Sequence, residues 1–166
     1  MLGDHARRPA ATRAPAATRA PAAAAAPVSA EALALLARAD AELLAGQFAP
    51  ESSDRFVHAH LAAIRAAAAV LVVRGRPGRR SAARTVWEML TRVAPELETW
   101  AVFFAGAAPL RSRVEAGRRD LVTDDRAGCA LAAAEDFRDT VEEVLGGATA
   151  GMHRPGRQPV LAVRAS

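Results

Sequence analysis

The spacing of apolar residues predicts helices throughout the middle of the chain. Between residues 29 and 146, large apolar side chains recur at intervals of three and four, which is the period of an amphipathic helix. This region has no alternating apolar and polar run bounded by turn residues, the pattern of a half-buried strand. We therefore expect an all-α domain.

The first two helices are predicted from their caps and apolar content. Ser29 is a candidate N-cap for a helix that ends near Gly46. Ser52 or Ser53 would cap the second helix, in which Arg65 is the single interior charge. A helix that is apolar on nearly all sides belongs in the middle of a bundle, so we expect the second helix there.

The second half of the domain predicts two further helices, one of them broken. Ser81 is a candidate cap for the third helix, and Pro95 would break or kink it before it continues. Residues 109–122 would either extend this helix or form an exposed basic connection. Thr123 would cap the last helix, which should stop at Gly146. The prediction is an up-and-down bundle of four to five helices over residues 29–146.

Both ends of the chain differ from the domain in composition. The hexapeptide Ala-Ala-Thr-Arg-Ala-Pro occurs twice in succession, at 10–15 and 16–21, and proline interrupts any helix that the alanines would start. With almost no large apolar residue, residues 1–28 are predicted to be a disordered tail. Residues 147–166, rich in glycine and proline, are predicted to be a flexible basic tail.

The positive charge of the chain belongs to these tails. The chain has 166 residues and a net charge of +4, and all of its basic residues are arginine. Each tail carries +3, whereas residues 29–146 carry −2. Non-specific nucleic-acid binding through the arginine-rich tails is therefore one hypothesis for function. The domain, with few aromatic residues, is a poor candidate for a surface that stacks bases.

Residue types that hold metals or act as nucleophiles are scarce. His58 and His60 are two residues apart, which on a helix separates their side chains by about 200°, so they would not chelate one ion together. Cys129 lies among alanines and is expected to be a small buried residue. We expect no metal and no cofactor.

Nothing in the sequence predicts export or a membrane span. The chain start lacks the apolar region of a secretory signal. The longest apolar run, 61–73, is interrupted by Arg65 and is shorter than the roughly 20 residues needed to cross a bilayer. We expect a cytoplasmic protein that does not contact a membrane.

Two groups of basic residues are candidates for binding an anion or nucleic acid. Arg79 and Arg80 lie beside Ser81 at the predicted start of the third helix, where free backbone N–H groups attract anions. The second group lies at the end of the broken helix and just beyond it and consists of Arg111, Arg113, Arg118 and Arg119. A solvated loop and a solvated surface are the alternative interpretations.

Three segments resemble a known family. Residues 53–71 (SDRFVHAHLAAIRAAAAVL), residues 93–97 with the Trp100 and Phe103 that follow, and the last helix are similar to an actinobacterial branch of the HEPN domains. These are the higher eukaryotes and prokaryotes nucleotide-binding helical bundles. The resemblance covers about residues 29–146 and implies a bundle of four or five helices.

The resemblance also implies what to look for as a site. Many HEPN domains dimerise, and the active members are metal-independent ribonucleases with an arginine, a polar residue and, after four to six intervening residues, a histidine. Arg55 and His60 have this spacing, but Phe56 occupies the polar position and the pair lies in the second helix instead of a late one.

The leading hypothesis is a non-catalytic HEPN-like domain that binds protein, nucleotide or nucleic acid, with RNA among the candidate ligands. A homodimer is expected, with its seam on the second and fourth predicted helices because the second is so apolar. The alternative is a metal-independent ribonuclease in which His60 transfers protons and Arg55 stabilises phosphate charge.

Overall fold

The computed structural model describes residues 28–76 and 85–150, with the side chains of 148–150 left aside. The described residues contain no strand and form five α-helices, which confirms the all-α bundle. These helices are α1 (Ala30–Phe48), α2 (Ser52–Arg74), α3 (Val86–Val93), α4 (Glu98–Glu115) and α5 (Asp124–Ala150). Nearly all of the two predicted tails, residues 1–27 and 151–166, lies outside the described residues, and so does the segment 77–84.

Helix α2 occupies the centre of the bundle, as its composition predicts. It packs chiefly against α1 and α5, and small side chains let these helices approach closely. Six alanines of α2 are fully buried, namely Ala59, Ala62, Ala63, Ala66, Ala67 and Ala69. Helix α2 is also long and apolar enough to cross a membrane, but 56% of its most apolar window is buried inside the bundle. The bundle core thus accounts for its apolar character.

One end of the core is built from aromatic rings that surround His60. The side chains of Phe56, Trp87 and Phe104 lie with their ring centroids 5.7 to 6.2 Å from the imidazole. Phe104 stacks on Trp87 at 5.3 Å, which joins α4 to α3. Most of the few aromatic residues of this chain are therefore concentrated at one place.

Several helix starts follow the predicted capping chemistry. The side chain of Ser29 accepts a hydrogen bond from the Ala32 N–H at the start of α1, and Thr123 accepts one from Arg126 at the start of α5. Helix α3 starts at Val86 with a reciprocal capping box between Thr85 and Glu88. The prediction that Ser81 caps this helix is wrong, because the N-cap is Thr85; Ser81 itself lies outside the described residues.

Other predicted boundaries are wrong in detail. The prediction that Ser52 or Ser53 caps α2 is wrong, because the N-cap is Glu51, which makes no side-chain cap bond. The Ser52 hydroxyl instead hydrogen-bonds Asp124 of α5. Helix α1 ends at Phe48, near the predicted Gly46, but α5 does not stop at Gly146 and continues to Ala150. A glycine weakens a helix by only about 1 kcal/mol, so it does not have to end one.

The break predicted at Pro95 is confirmed, and the ambiguous segment is now assigned. A short 3-10 helix, Pro95–Leu97, separates α3 from α4. Helix α4 then runs through Pro109 to Glu115, and a second 3-10 helix, Arg119–Leu121, leads into α5. The first part of residues 109–122 therefore extends α4, and the remainder connects α4 to α5.

Candidate functional site

The two candidate catalytic residues, Arg55 and His60, lie on different sides of α2. Residues five apart on a helix point about 140° away from each other. His60 is directed into the aromatic core and is 2% exposed. Arg55 is directed toward the start of α5, where its Nη1 lies 3.7 Å from Oδ1 of Asp124. The structure does not bring the two side chains together.

The environment of His60 favours the neutral imidazole. The pKa of His60 is lowered from 6.5 to about 4, chiefly by burial and also by the charge of Arg111, against the opposing effect of a hydrogen bond with the backbone of Phe104. The Nε2 atom is buried and has no hydrogen-bond partner among the described residues. His60 is therefore an uncharged ring with one unsatisfied polar atom in an apolar setting.

A cavity of about 270 Å³ lies beside His60 between α2, α4 and α5. Its walls include the rings of Phe56, Phe103 and Phe104, and Arg126 and Cys129 of α5 also line it. The prediction that Cys129 is buried is wrong, because the residue is exposed on α5. An alanine-rich helix gives little indication of which face is covered, since buried and exposed positions carry the same residue.

The second group of basic residues is largely paired with carboxylates. The side chains of Arg118 and Asp120 are 3.3 Å apart, and a hydrogen bond from Arg118 lowers the pKa of Asp120. Arg119 lies 3.3 Å from Asp54, at the start of α2. These pairs reduce the positive charge that would be available to a phosphate.

The other two arginines of this group differ in exposure. Arg113 is exposed, whereas Arg111 is half-buried and lies 3.6 Å from Glu115. The Nε atom of Arg111 is buried and makes no hydrogen bond with a described residue. Arg79, Arg80 and Ser81, the first candidate group, lie outside the described residues.

One comparison with known proteins identifies the family. A family model described as SAV_6107-like HEPN matches residues 46–142, which is more than half of the chain. The chain belongs to this HEPN family. No curated protein and no solved structure shows significant similarity to it. The match begins at Gly46, so most of α1 lies outside the part of the HEPN domain that the family model covers.

Sequence reasoning missed a charged cluster that joins α1 to α2 in this HEPN domain. Glu42 accepts hydrogen bonds from His58 Nδ1 at 2.8 Å and from Arg65 Nη2 at 2.7 Å. Burial raises the pKa of Glu42, but the hydrogen bonds and charges of His58 and Arg65 outweigh this effect and leave it below 4.5. The sequence feature that could have predicted this cluster is Arg65, because a charge inside an apolar helix needs a partner of opposite charge.

The described part of the HEPN domain contains no group of three or more His, Cys, Asp or Glu residues placed to hold a metal ion. Carboxylates of both α1 and α5 are instead paired with Arg138 of α5. Arg138 hydrogen-bonds Asp40 of α1 from Nε at 2.6 Å and from Nη2 at 3.0 Å, and it also contacts Glu142. These contacts attach α5 to α1.

The outer face of α1 carries exposed apolar side chains. Leu33, Leu44 and Phe48 are 55%, 56% and 79% exposed, and Ala37 and Ala41 lie between them on the same face. The homodimer interface was expected on the second helix because that helix is so apolar. In the structure α1 and α5 cover most of this apolar surface. The main exposed apolar stripe of the described HEPN domain is on α1.

Proposed function

We propose that this HEPN domain acts by binding its partners and does not cleave RNA. The observation that carries the proposal is the position of His60, which is 2% exposed within a cluster of aromatic rings. A general acid or base must come within hydrogen-bond reach of the reacting group, either directly or through one water. The ring borders a cavity of only about 270 Å³, so the phosphodiester of an RNA chain, with nucleotides on both sides, does not reach it without displacement of the core.

The surroundings of Arg55 support the same conclusion. Its guanidinium lies beside Asp124, about 140° around α2 from His60. A ribonuclease of this type would need both groups at one phosphate, with the cation placed where negative charge develops. Arg55 instead joins the start of α2 to the start of α5, together with the contact between Ser52 and Asp124.

The nuclease assay is direct. Purified full-length protein is incubated with single-stranded and structured RNA in the presence of a chelator, beside Arg55→Ala and a known metal-independent ribonuclease. We expect background cleavage by the wild type and by the variant. Cleavage by the wild type that Arg55→Ala removes would contradict the proposal, since it would give Arg55 a catalytic role.

We further propose that one partner is a second copy of this chain, bound through the outer face of α1. Large apolar side chains exposed in a row favour association, because contact removes them from water. The stripe from Leu33 to Phe48 is about 22 Å long, and Asp40 at its edge is paired with Arg138 of α5. Such a face is suited to lie against another helix.

The order of residues along this stripe suits an antiparallel pair of α1 helices. A two-fold interface requires each residue to find its partner at the symmetric position of the other copy. About a centre near residue 41, Leu33 would lie opposite Phe48, and Leu44 would lie opposite Ala37. Leu33 and Phe48 would thus pack two large side chains together near each end of the interface, and Leu44 would pack against the small Ala37 nearer its centre.

Sedimentation of the full-length protein tests self-association. We expect Leu44→Glu to raise the dissociation constant more than tenfold, because burial of a leucine contributes about 1.5–3 kcal/mol. Val102→Glu is the matched control, since Val102 is 66% exposed on α4, away from the stripe. A wild type that stays monomeric at all accessible concentrations would overturn this part of the proposal.

Disulfide crosslinking tests the antiparallel arrangement. In a Cys129→Ser background, Ala41→Cys would place two thiols near the two-fold axis, whereas Leu33→Cys would keep them far apart. Efficient crosslinking of Ala41→Cys with little crosslinking of Leu33→Cys is expected. Equal crosslinking of both variants would indicate parallel helices and contradict the arrangement.

A further inference from the structure

The cavity between α2, α4 and α5 has the size of a small-molecule site. Its volume is about 270 Å³, and a dry cavity of about 150 Å³ is enough to hold benzene. Phe56, Phe103 and Phe104 contribute aromatic side chains to its lining, and Ala130 contributes an aliphatic one. A planar molecule of one or two rings fits such a space.

His60 supplies a polar atom that the protein leaves unsatisfied. It lines the cavity, is 2% exposed, and its buried Nε2 has no hydrogen-bond partner among the described residues. Buried polar atoms in folded proteins are nearly always hydrogen-bonded, so an unpaired one beside a cavity indicates a missing partner. A neutral N–H or O–H group on a bound molecule would provide it.

Positive charge lies on the α5 side of the same cavity. Arg126 lines it, and its side chain forms no ion pair with a described residue. The charge of Arg111 also reaches His60. An anionic group on the ligand would therefore be attracted to the cavity.

We infer that this cavity binds a small planar aromatic acid, with its rings between the phenylalanines, a hydrogen-bonding group at His60 Nε2 and its carboxylate at Arg126. The inference extends the proposed binding role to a ligand class. It depends neither on self-association nor on the absence of nuclease activity. The face of α1 that would form the dimer is not part of the cavity lining.

Cys129 makes binding measurable, because it is the one cysteine of the chain and it lines the cavity while remaining exposed. The probe is indole-3-acetate, a two-ring acid with an N–H group. Its binding to the full-length protein is followed by calorimetry and by the rate at which iodoacetamide alkylates Cys129. We expect one site per chain and at least fivefold slower alkylation at saturation.

Two glycines provide a matched pair of variants. A side chain at Gly106 would enter open space at the cavity wall, so Gly106→Leu should fill the cavity without disturbing the backbone. Gly128→Leu adds the same side chain in open space on α5, at a residue that does not line the cavity. We expect Gly106→Leu to abolish binding and Gly128→Leu to preserve it.

Two further variants assign the polar contacts. His60→Phe keeps an aromatic ring but removes Nε2, and Arg126→Gln removes the charge; each should weaken indole-3-acetate binding about tenfold. His60→Phe should weaken neutral indole as well, whereas Arg126→Gln should leave indole binding unchanged. Equal effects of Arg126→Gln on both probes would overturn the placement of the carboxylate.

Adenosine monophosphate tests whether the ligand is a nucleotide instead of an aromatic acid, since a nucleotide also combines rings with an anion. Binding of the nucleotide that is tighter than binding of indole-3-acetate and is lost in Gly106→Leu would overturn the proposed ligand class. Failure of indole-3-acetate to bind at millimolar concentration would overturn the site. Neither result bears on RNA cleavage, which is measured separately.

Discussion

Arg65 donates two hydrogen bonds to a single carboxylate oxygen of Glu42, from Nη2 at 2.7 Å and from Nε at 3.1 Å. The other oxygen of Glu42 lies 2.8 Å from Nδ1 of His58. One carboxylate on α1 thus satisfies two residues of α2 that are seven positions apart. This cluster fixes the register between the two helices, because the alanine side chains packed between them are too small to interlock and define it.

Glu42→Gln should lower the free energy of unfolding by about 2 kcal/mol, since hydrogen bonds to charged groups contribute about 1.5–3 kcal/mol and Arg65 is left half-buried without its partner. The pKa of Glu42 is lower in the folded state than in the unfolded state. Its contribution is therefore present above pH 4.5 and is lost as the pH falls below that value. Urea unfolding at several pH values measures both effects.

Glu143→Gln is the control for this substitution, since Glu143 is exposed on α5. It should change stability by less than about 0.5 kcal/mol. Equal stability of the two variants at pH 7 would show that the Glu42 cluster does not stabilise the bundle.

His60→Phe should remove part of the acid sensitivity of the protein. Because the pKa of His60 falls from 6.5 to about 4 on folding, the unfolded state binds more protons between these values. Wild-type stability should therefore decrease by up to about 3 kcal/mol as the pH falls from 6.5 to 4. The variant has no group to protonate at this position, and phenylalanine suits the surrounding rings.

The measurement for His60 is the difference between wild type and variant in the free energy of unfolding at pH 7, 5.5 and 4. Glu42 titrates below 4.5 in both proteins, so its effect cancels in the difference over most of this range. A difference that stays constant with pH would mean that His60 is protonated in the fold or that the core opens at low pH.

Sequence periodicity was sufficient for the helices and for the central position of α2, because long apolar side chains at helical spacing have to be buried. It was insufficient for the surfaces of α1 and α5. Leu33 and Leu44 look like core residues but are more than half exposed, and Cys129 looks buried but is exposed. In helices this rich in alanine, small residues fill both the core and the surface, so the hydrophobic pattern does not orient the helix.

The candidate site was likewise predicted from the sequence only in part. Local spacing was enough to select Arg55 and His60, and helix geometry was enough to predict that they diverge. The cavity depends on contacts between residues distant in the chain, such as Phe56, Phe103 and Cys129, which no local pattern relates. The partners of Arg65 and Arg138 are likewise on α1, reached only when the helices pack.

Thr85→Ala should destabilise the start of α3. The Thr85 hydroxyl accepts a hydrogen bond from the Glu88 N–H at 3.1 Å, and the Glu88 carboxylate accepts one from the Thr85 N–H at 3.1 Å. Loss of such a cap costs about 1 kcal/mol, and α3 has only eight residues over which to compensate. Trp87 lies in its first turn, so the loss should also appear as a change in Trp fluorescence.

Thr99→Ala serves as the control for the cap, because Thr99 is exposed in α4 and provides no cap. Chemical denaturation should show the control within about 0.5 kcal/mol of wild type. If both threonine variants are equally stable, the capping box makes no contribution.

Substitution of alanine for glycine should have opposite effects at Gly46 and Gly128. A Cβ at Gly46 would lie 3.1 Å from Cδ1 of Leu131 and 3.3 Å from Cβ of His58, where α1 meets α2 and α5. The crowding should cost about 1–3 kcal/mol and exceed the gain of up to about 1 kcal/mol in helix propensity. At Gly128 a Cβ meets nothing within 4 Å, so the propensity gain should remain. Thermal unfolding should therefore give a lower midpoint for Gly46→Ala and a higher one for Gly128→Ala. A higher midpoint for both variants would mean that the contact between α1 and α5 is looser than the 3.1 Å approach indicates.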